Sequence, residues 1–315
     1  MEVLTFGETM VLFNPSLTGP LRYVPGFNKS IGGAESNVAI ALSRLGHESA
    51  WFSMVGKDEF GRYIRNTVRG EGVDVSRVKF TDEGNTGILF KERFASENPN
   101  VYYYRKYSAA TKLSVKDIDA EYIKQAKIIH LTGITPALSE DMKDVVFEVL
   151  KIAKENGITV SFDPNIRLKL WPIEEAKPVL LEIAGMSDII LPGISEGEML
   201  LGLSDEKEIA SKFLEMGCKM VAVKLGADGC YVADKETGRY VKGYKVENLV
   251  DTVGAGDGFA AGFLSGILKG MSPEECGQLG NGVGAMATLV QGDMEGYPYL
   301  DQLLEFMGKK KAIDR

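Results

Sequence analysis

Short apolar runs rich in β-branched residues alternate along the chain with longer stretches in which apolar positions recur every three to four residues. One such set comprises the run 126–133 (AKIIHLTG), a helical stretch over 141–156 and the run 158–164 (ITVSFDP). The 3.6-residue spacing of the central stretch is typical of a helix with one buried face. Ser139 and Gly157 flank this stretch as cap residues. The pattern predicts a strand, a helix and a second, parallel strand.

The same alternation returns around the runs 187–193 (SDIILPG) and 219–226 (KMVAVKLG). Strands that are joined through helices lie parallel and are covered by those helices on both faces. The chain has 315 residues, which exceeds the usual size of one domain, so we expect either one large domain with an appendage or two modest domains. We predict an α/β fold with a central, mostly parallel sheet flanked by helices.

Two segments interrupt this alternation, 9–27 (TMVLFNPSLTGPLRYVPGF) and 86–109 (TGILFKERFASENPNVYYYRKYSA). Both have the pattern of strands joined by turn residues, with no helix between them. We expect them to form one small accessory sheet, spanning about 9–30 and 86–110. Ligands bind at the carboxyl ends of the strands in open α/β sheets, so an accessory sheet above those ends would act as a lid.

Composition limits what the protein can bind. The formal net charge is −8, which argues against nonspecific nucleic-acid binding because that requires a basic surface. An anionic ligand must therefore find its positive charge in individual Arg and Lys residues. The three cysteines show no CxxC pattern, so neither a disulfide framework nor a zinc site is favoured. Since there is no signal-peptide pattern and no apolar run of 18 residues, we expect a cytoplasmic protein that makes no membrane contact.

The segment 251–262 (DTVGAGDGFAAG) places a carboxylate among glycines where a helical pattern begins. A helix N-terminus attracts phosphate through unpaired N–H groups and its dipole, and Gly254 and Gly256 allow close approach. Asp257 could then accept a proton from a hydroxyl that attacks the phosphate, which is the chemistry of phosphoryl transfer. One alternative is that Asp257 is only a first-turn residue favoured by the helix dipole. Another is a dinucleotide-binding loop, although the G-x-G-x-G spacing disagrees with G-x-G-x-x-G.

Segment 251–262 resembles the C-terminal signature of the ribokinase-like carbohydrate kinases of the phosphofructokinase-B type. Segment 32–56 (GGAESNVAIALSRLGHESAWFSMVG) resembles the N-terminal signature of the same family, and the resemblance extends over essentially the whole chain. It implies a ribokinase-like three-layer fold in which 1–315 form one catalytic domain with a β-sheet lid. It also implies ATP as the phosphoryl donor, Mg²⁺ as the bridging ion and Asp257 as the catalytic base. No Walker A pattern is present, so phosphate binding by a P-loop is excluded.

The resemblance further implies which residues hold the phosphate and the nucleotide. The backbone over 254–257, including Ala255, would form an anion hole. The segment 223–232 (VKLGADGCYV) matches a nucleotide-contacting turn of the family with Lys224 in place of the usual threonine, although such a pattern alone would indicate a tight turn. The implied nucleotide-site residues are Asn165, Arg167, Ser195, Lys224, Gly226, Gly229, Gly254, Gly256 and Asn281.

The sequence supports two of the family's features only in part, the position of Asn281 and the metal-linked pattern around Glu196. The glycine-rich segment 280–291 would place Asn281 beside the adenine, but close helix packing explains its glycines nearly as well. The metal-linked Asn-x-x-Glu pattern of the family is present only in part, because Gly193 replaces its Asn. We therefore expect Glu196 to contact the metal indirectly, and we expect Ser195 or Glu198 to share this role.

The segment 101–110 (VYYYRKYSAA) gives the clearest indication of substrate. Strand alternation places Tyr103 and Arg105 on one face, whereas Tyr102, Tyr104 and Lys106 face away. The guanidinium fork of Arg105 suits a carboxylate, and a second arginine, Arg167, follows a predicted strand end. The alternatives are a surface ion pair for Arg167 and an exposed or dimer-forming strand for the tyrosines.

The patterns YYYRxxSAA, DPNxRxxLW and VKxGADGC together are similar to those of the 2-keto-3-deoxygluconate kinases of this family, which convert this sugar acid and ATP to the 6-phosphate and ADP. The implied substrate-site residues are Gly33, Ala34, Asn37, Leu89, Tyr103, Arg105, Arg167 and Asp293. Because DPNxRxxLW also occurs in fructokinase-like members, a fructokinase is the close alternative. A non-catalytic sensor has no use for Asp257, and an NAD-dependent oxidoreductase would need a fingerprint that is absent. We also expect a homodimer through the accessory sheet.

Overall fold

The computed structural model of the protein describes residues 1–93 and 100–310, and a central sheet of eight strands dominates these residues. The strands of this sheet are β1 (Val3–Phe6), β4 (Ser49–Phe52), β9 (Ile128–Thr132), β10 (Thr159–Asp163), β11 (Ile189–Ile190), β12 (Met220–Lys224), β13 (Gly229–Asp234) and β14 (Gly238–Lys242). Their order is β14-β13-β12-β11-β10-β9-β1-β4. The six neighbouring strands from β12 to β4 in this order lie parallel to one another. The last two strands are antiparallel additions at one edge.

Helices cover both faces of this sheet. They are α1 (Ala34–Arg44), α2 (Glu59–Gly70), α3 (Ala120–Ile123), α4 (Glu140–Asn156), α5 (Ile173–Gly185), α6 (Ile194–Leu201), α7 (Glu206–Glu215), α8 (Ala255–Leu268), α9 (Pro273–Ala287) and α10 (Leu300–Phe306). The buried residues form two large clusters, one containing α4 to α7 and the other α1, α8 and α9. The three-layer α/β prediction is confirmed.

The helix predicted over 141–156 is α4, and its predicted caps are in place. The Ser139 hydroxyl accepts a hydrogen bond from the Met142 N–H at 3.2 Å, and Gly157 ends the helix in the left-handed conformation with φ 65°. Seven apolar residues of α4 are buried against the sheet, which is the face that the 3.6-residue spacing predicts.

A separate sheet of four strands lies apart from the central one, as predicted for the accessory sheet. It consists of β2 (Met10–Pro15), β3 (Phe27–Gly32), β7 (Ile88–Glu92) and β8 (Asn100–Tyr104), in the order β3-β2-β7-β8. We call these four strands the lid sheet. Positions 94–99 of the predicted segment lie outside the described residues. A further short parallel pair joins β5 (Met54–Gly56) to β6 (Lys79–Thr81).

The glycine-rich segment 280–291 continues α9 as far as Ala287, despite its low helix propensity. A side chain at Gly280 would come within 2.9 Å of the Phe259 ring on α8, and one at Gly284 would lie 3.1 Å from the carbonyl oxygen of Ala255. Close packing of α8 against α9 therefore accounts for these glycines, because the contact between the helices outweighs the local cost of glycine.

Candidate active site

A cavity of about 1140 Å³ lies where the lid sheet faces the carboxyl ends of the central strands. This is the position where open α/β sheets bind ligands. The predicted site residues that line it are Gly33, Ala34, Asn37, Leu89, Tyr103, Arg105, Asn165, Arg167, Glu196, Lys224, Gly254, Gly256, Asp257 and Asp293. Residues from the two ends of the chain thus meet in one site.

The N-terminus of α8 points into this cavity. Gly254 precedes the helix with φ 81°, a left-handed conformation that favours glycine, and an added Cβ would lie 2.0 Å from the Asp293 carbonyl oxygen. Ala255, which was expected in the anion hole, does not line the cavity, and its N–H donates a long hydrogen bond of 3.3 Å to the Thr252 carbonyl. The N–H groups of Gly256 and Asp257 lie in the first turn, where a helix offers no carbonyl partner. The helix tip can therefore bind an anion.

Asp257 is the carboxylate at this tip. Burial raises its pKa to about 7, a hydrogen bond from Asn37 works against that rise, and the neighbouring charge of Asp163 adds to it. Asn37 Nδ2 donates to Asp257 Oδ2 at 2.8 Å, which fixes the orientation of the carboxylate. A carboxylate whose pKa is close to neutral can take up a proton during a reaction and release it afterwards. The position and acidity of Asp257 suit a general base.

Arg105 is held by an acidic residue that the sequence analysis did not identify. Its Nε donates to Glu8 Oε2 at 2.6 Å, Nη2 lies 2.5 Å from the same oxygen, and Ser108 Oγ donates to Glu8 Oε1 at 2.5 Å. The guanidinium carbon also lies 5.6 Å from the Tyr103 ring centroid. Since Glu8 is buried, it fixes Arg105 at the cavity wall and compensates part of its charge.

The face alternation predicted for β8 is correct through Arg105, one residue beyond the end of the strand, and fails at Lys106. Tyr103 and Arg105 line the cavity, whereas Tyr102 and Tyr104 line a shallow pocket on the opposite face of the lid sheet. Lys106 was expected to face away, but it lines the cavity as well. The strand ends at Tyr104 and the chain turns at Tyr107, which has φ 61°, so the two-residue period no longer applies.

A second charged group lies at the ends of β10 and β12. Lys224 Nζ donates to Asp163 Oδ2 at 2.5 Å. Burial by itself would lower the pKa of Lys224, but the charges of Asp163 and Glu196 raise it above its ordinary value. Glu196 accepts hydrogen bonds from the N–H groups of Gly193 at 2.7 Å and Ile166 at 3.1 Å, while burial raises its pKa. Asp163 was not identified from the sequence, although its position at a parallel strand end could have indicated it.

Asn165 and Arg167 follow β10 and face the cavity. Asn165 has φ 36°, an unusual conformation for a residue other than glycine, and its N–H donates to Asp163 Oδ1 at 3.1 Å. Arg167 makes no ion pair with the residues that the structure describes, so the alternative of a surface ion pair finds no support. Its charge lowers the pKa of Asp257, although burial dominates that pKa.

Four expected nucleotide-site residues do not line the cavity. They are Ser195, Gly226, Gly229 and Asn281. Gly226 and Gly229 adopt φ 61° and φ 106° in the turn between β12 and β13, which requires glycine whatever the ligand. Asn281 Nδ2 donates to the carbonyl oxygens of Val241 and Lys242, at 3.0 and 3.2 Å, and thereby ties α9 to β14. Their nucleotide role stays a prediction.

The acidic residues of the cavity suit a magnesium ion that arrives with a nucleotide. Within residues 1–93 and 100–310, no group of three or more His, Cys, Asp or Glu side chains could hold a metal ion alone. Mg²⁺ commonly binds one or two carboxylates together with phosphates and water, and Asp163 and Glu196 offer such carboxylates. Glu198 instead accepts a hydrogen bond from Ser204 and does not line the cavity.

The family model described as pfkB family carbohydrate kinase matches residues 1–299. A 2-dehydro-3-deoxygluconokinase of Bacillus subtilis is 42% identical over 99% of this chain and 97% of its own length. One of Thermoproteus tenax is 35% identical over 95% of this chain and 91% of its own. Fructokinase-1 of Zea mays is 34% identical, with 98% of this chain and 98% of the relative covered.

A solved structure shares the fold over nearly the whole length of the chain. The structure of a putative ribokinase II from E. coli in complex with ATP and Mg²⁺ has a TM-score of 0.90 to this chain at 29% identity, and the match covers 98% of this chain and 99% of that one. The fold and the reaction class therefore agree with the expectations from the two sequence signatures.

Proposed function

The chain belongs to the pfkB family of carbohydrate kinases, which use ATP and Mg²⁺, and we propose that it transfers the γ-phosphoryl group of ATP to the 6-hydroxyl of 2-dehydro-3-deoxygluconate. This sugar acid is also called 2-keto-3-deoxygluconate. The observation that carries the proposal is the meeting of Asp257, at the tip of α8, with Arg105 and Arg167 in one cavity. A base, an anion-binding helix end and two cations for an acid group are then in reach of one small molecule.

In the proposed reaction, the 6-oxygen of the sugar attacks the γ-phosphorus of ATP. Asp257 accepts the hydroxyl proton, the bond from oxygen to phosphorus forms, and the bond to the β-phosphate oxygen breaks to release ADP. The N–H groups at the tip of α8 stabilise the charge on the transferring group. Mg²⁺, when bound with ATP, neutralises phosphate charge, and Asp163 and Glu196 would hold it, directly or through water.

Two features of the cavity support an acid substrate. Arg105 is fixed by Glu8, so its remaining Nη1 edge can be offered to a carboxylate without loss of side-chain freedom on binding. Arg167 lines the same cavity without an ion pair among the described residues. For the hydroxyl groups of the sugar, Asn37 Oδ1 is buried and has no hydrogen-bond partner in the part of the chain that the structure describes. An unsatisfied buried acceptor of this kind favours a hydroxyl donor.

Fructose is the second candidate substrate, because the fructokinase relative is 34% identical over nearly the whole chain. The two candidate substrates differ in their contacts with Arg105 and Arg167, because the sugar acid offers a carboxylate to these cations and fructose does not. An assay of ADP release across sugar acids and neutral hexoses distinguishes them. We expect kcat/KM for 2-dehydro-3-deoxygluconate to exceed that for fructose by about 100-fold or more, since charge-assisted hydrogen bonds contribute roughly 1.5–3 kcal/mol each. A preference for fructose would contradict the proposal.

We also propose that the protein is a cytoplasmic homodimer joined through its lid sheets. The outer face of the lid sheet carries an aromatic patch, formed by Phe27, Phe90, Tyr102 and Tyr104. Tyr104 is 64% exposed, and such concentrations of exposed aromatic side chains are typical of interfaces. All three cysteines are free and buried, and ATP is the donor, which fits a reducing compartment. In the described residues, no helix is both long and apolar enough to cross a membrane.

A further inference from the structure

Lys91 is a buried lysine of the lid sheet that is bound to carboxylates outside this sheet. Its Nζ donates to Asp293 Oδ1 at 2.7 Å and to Asp251 Oδ2 at 3.4 Å, while its side chain is only 4% exposed. Burial by itself would lower the pKa of Lys91, but these two carboxylates raise it above its ordinary value. The group is therefore a charged ion triad in a place that water hardly reaches.

The two carboxylates belong to the residues that frame the phosphate-binding turn. Asp251 Oδ1 accepts a hydrogen bond from the Val253 N–H at 3.1 Å, which shapes the approach to Gly254. The carbonyl oxygen of Asp293 lies so close to Gly254 that a side chain there would meet it at 2.0 Å. One ammonium group thus holds both sides of the turn that precedes α8.

Asp293 also faces the cavity from the side of the predicted sugar site. Its Oδ2 would lie 2.4 Å from a Cβ on Gly32, which ends β3 just before α1. Lys91 does not line the cavity, so any effect that it has on the reaction passes through Asp251 and Asp293. Because Lys91 is carried by β7 and both carboxylates lie outside the lid sheet, this ion triad joins the lid sheet to the segments on either side of α8 and α9.

We infer that Lys91 is a positioning residue: its ammonium group ties the closure of the lid sheet to the alignment of the phosphate-binding turn at Gly254. The inference goes beyond the choice of substrate and depends only on phosphoryl transfer at the tip of α8. A displacement of about 1 Å in the reacting groups can cost on the order of 100-fold in rate, so loss of the triad acts mainly on kcat. Asn165 and Lys224, which are expected to bind the nucleotide, are not part of the triad, so we expect the affinity for ATP to change little.

The direct test replaces Lys91 by methionine, which has a similar length and no charge. Two buried carboxylates then lack their partner, which is destabilising, so Lys91→Met is studied beside the double variant Lys91→Met/Asp251→Asn, in which one of the two charges is removed. Lys57→Met is the matched control, because Lys57 forms an exposed ion pair with Asp82 just after β5 and β6, outside the lid sheet. Lys91→Arg tests whether a different cation at this position is sufficient to maintain kcat.

For the double variant we expect kcat to fall about 10- to 100-fold, with ATP affinity measured by calorimetry within about threefold of that of the wild type. We expect Lys91→Arg to recover part of this loss and Lys57→Met to match the wild type. The inference is overturned if the double variant keeps kcat within threefold of the wild type, or if ATP affinity weakens by the same factor as kcat. All variants are assayed with the sugar that the wild type phosphorylates fastest, so an error in the proposed substrate leaves this test intact.

Discussion

Asn37 and Asp257 are 220 positions apart in the sequence, and the side-chain nitrogen of Asn37 donates a hydrogen bond of 2.8 Å to the carboxylate of Asp257. Asn37 lies in α1, and Asp257 lies in the first turn of α8. This bond stabilises the charged form of the carboxylate, and it thereby opposes the burial that raises the pKa of Asp257 to about 7. The two signatures of the sequence meet in this contact.

Replacing Asn37 by leucine should raise the pKa of Asp257 further, because burial remains and the opposing hydrogen bond is lost. A general base works in its deprotonated form, so kcat/KM of the wild type should rise with pH through about 7. We expect the midpoint of this rise to move upward by roughly 0.5–1 pH unit in Asn37→Leu. The measurement is kcat/KM between pH 5.5 and 9. Asn156→Leu, at the distant end of α4, is the control and should leave the midpoint unchanged.

Replacing Arg105 by alanine should raise KM for the sugar acid by about 10- to 100-fold and change KM for fructose much less, because only the acid offers a carboxylate. The change also leaves Glu8 buried without its cation, at a cost of about 3–5 kcal/mol of folding free energy. The double variant Glu8→Gln/Arg105→Ala should recover stability in thermal unfolding without recovering affinity for the acid. Equal losses of affinity for both sugars would favour a fructokinase.

Alanine at Gly254 should destabilise the protein and reduce activity, since its φ is 81° and an added Cβ would collide with the Asp293 carbonyl. Gly157→Ala separates these effects, because Gly157 has φ 65° but open space around the position of a Cβ. We expect Gly157→Ala to cost about 1 kcal/mol and leave kcat unchanged. Gly254→Ala should cost more and lower kcat at least tenfold by displacing the phosphate-binding turn. If Gly254→Ala and Gly157→Ala lost the same stability and the same kcat, the clash with the Asp293 carbonyl would be unimportant.

The lid sheet should hold two chains together in solution. We expect light scattering to give twice the chain mass of 34.4 kDa at micromolar concentration. Tyr104→Glu places a charge in the aromatic patch and should shift the protein to a monomer. Val115→Glu introduces the same charge at a position that is 43% exposed and outside the lid sheet, and it should leave the dimer intact. A monomeric wild type would contradict the proposed assembly.

Much of this architecture follows from local patterns in the sequence. The helix over 140–156 has its apolar period and both caps in the sequence itself, and the lid strands stand out because the segments 9–27 and 86–109 lack a helical pattern. The reason for the glycines at 280 and 284 lies in another helix, where the Phe259 ring and the Ala255 carbonyl oxygen approach them, so the local sequence does not reveal it. Alternation predicts the wrong face for Lys106, because the sequence pattern does not show where β8 ends.

The charged partners of the site were the least predictable part. Glu8 binds Arg105 across 97 positions, and Lys91 binds Asp293 across 202, so no spacing rule connects them. Each of these side chains lies in a segment whose local sequence pattern predicts only a strand or a turn and gives no sign of a charged partner. Asp163 is different, because an acidic residue at the end of a buried parallel strand is a recognisable signal of a site.

The most direct test of the account is the replacement of Asp257 by asparagine, which keeps the size of the side chain and can still accept a hydrogen bond from Asn37. The variant lacks the base but retains the helix tip. We predict that kcat for ATP and 2-dehydro-3-deoxygluconate falls about 10²- to 10⁴-fold at pH 8, while ATP binding by calorimetry stays within a few-fold of the wild type. A variant that kept its turnover would contradict the role of Asp257 and, with it, the mechanism proposed for this site.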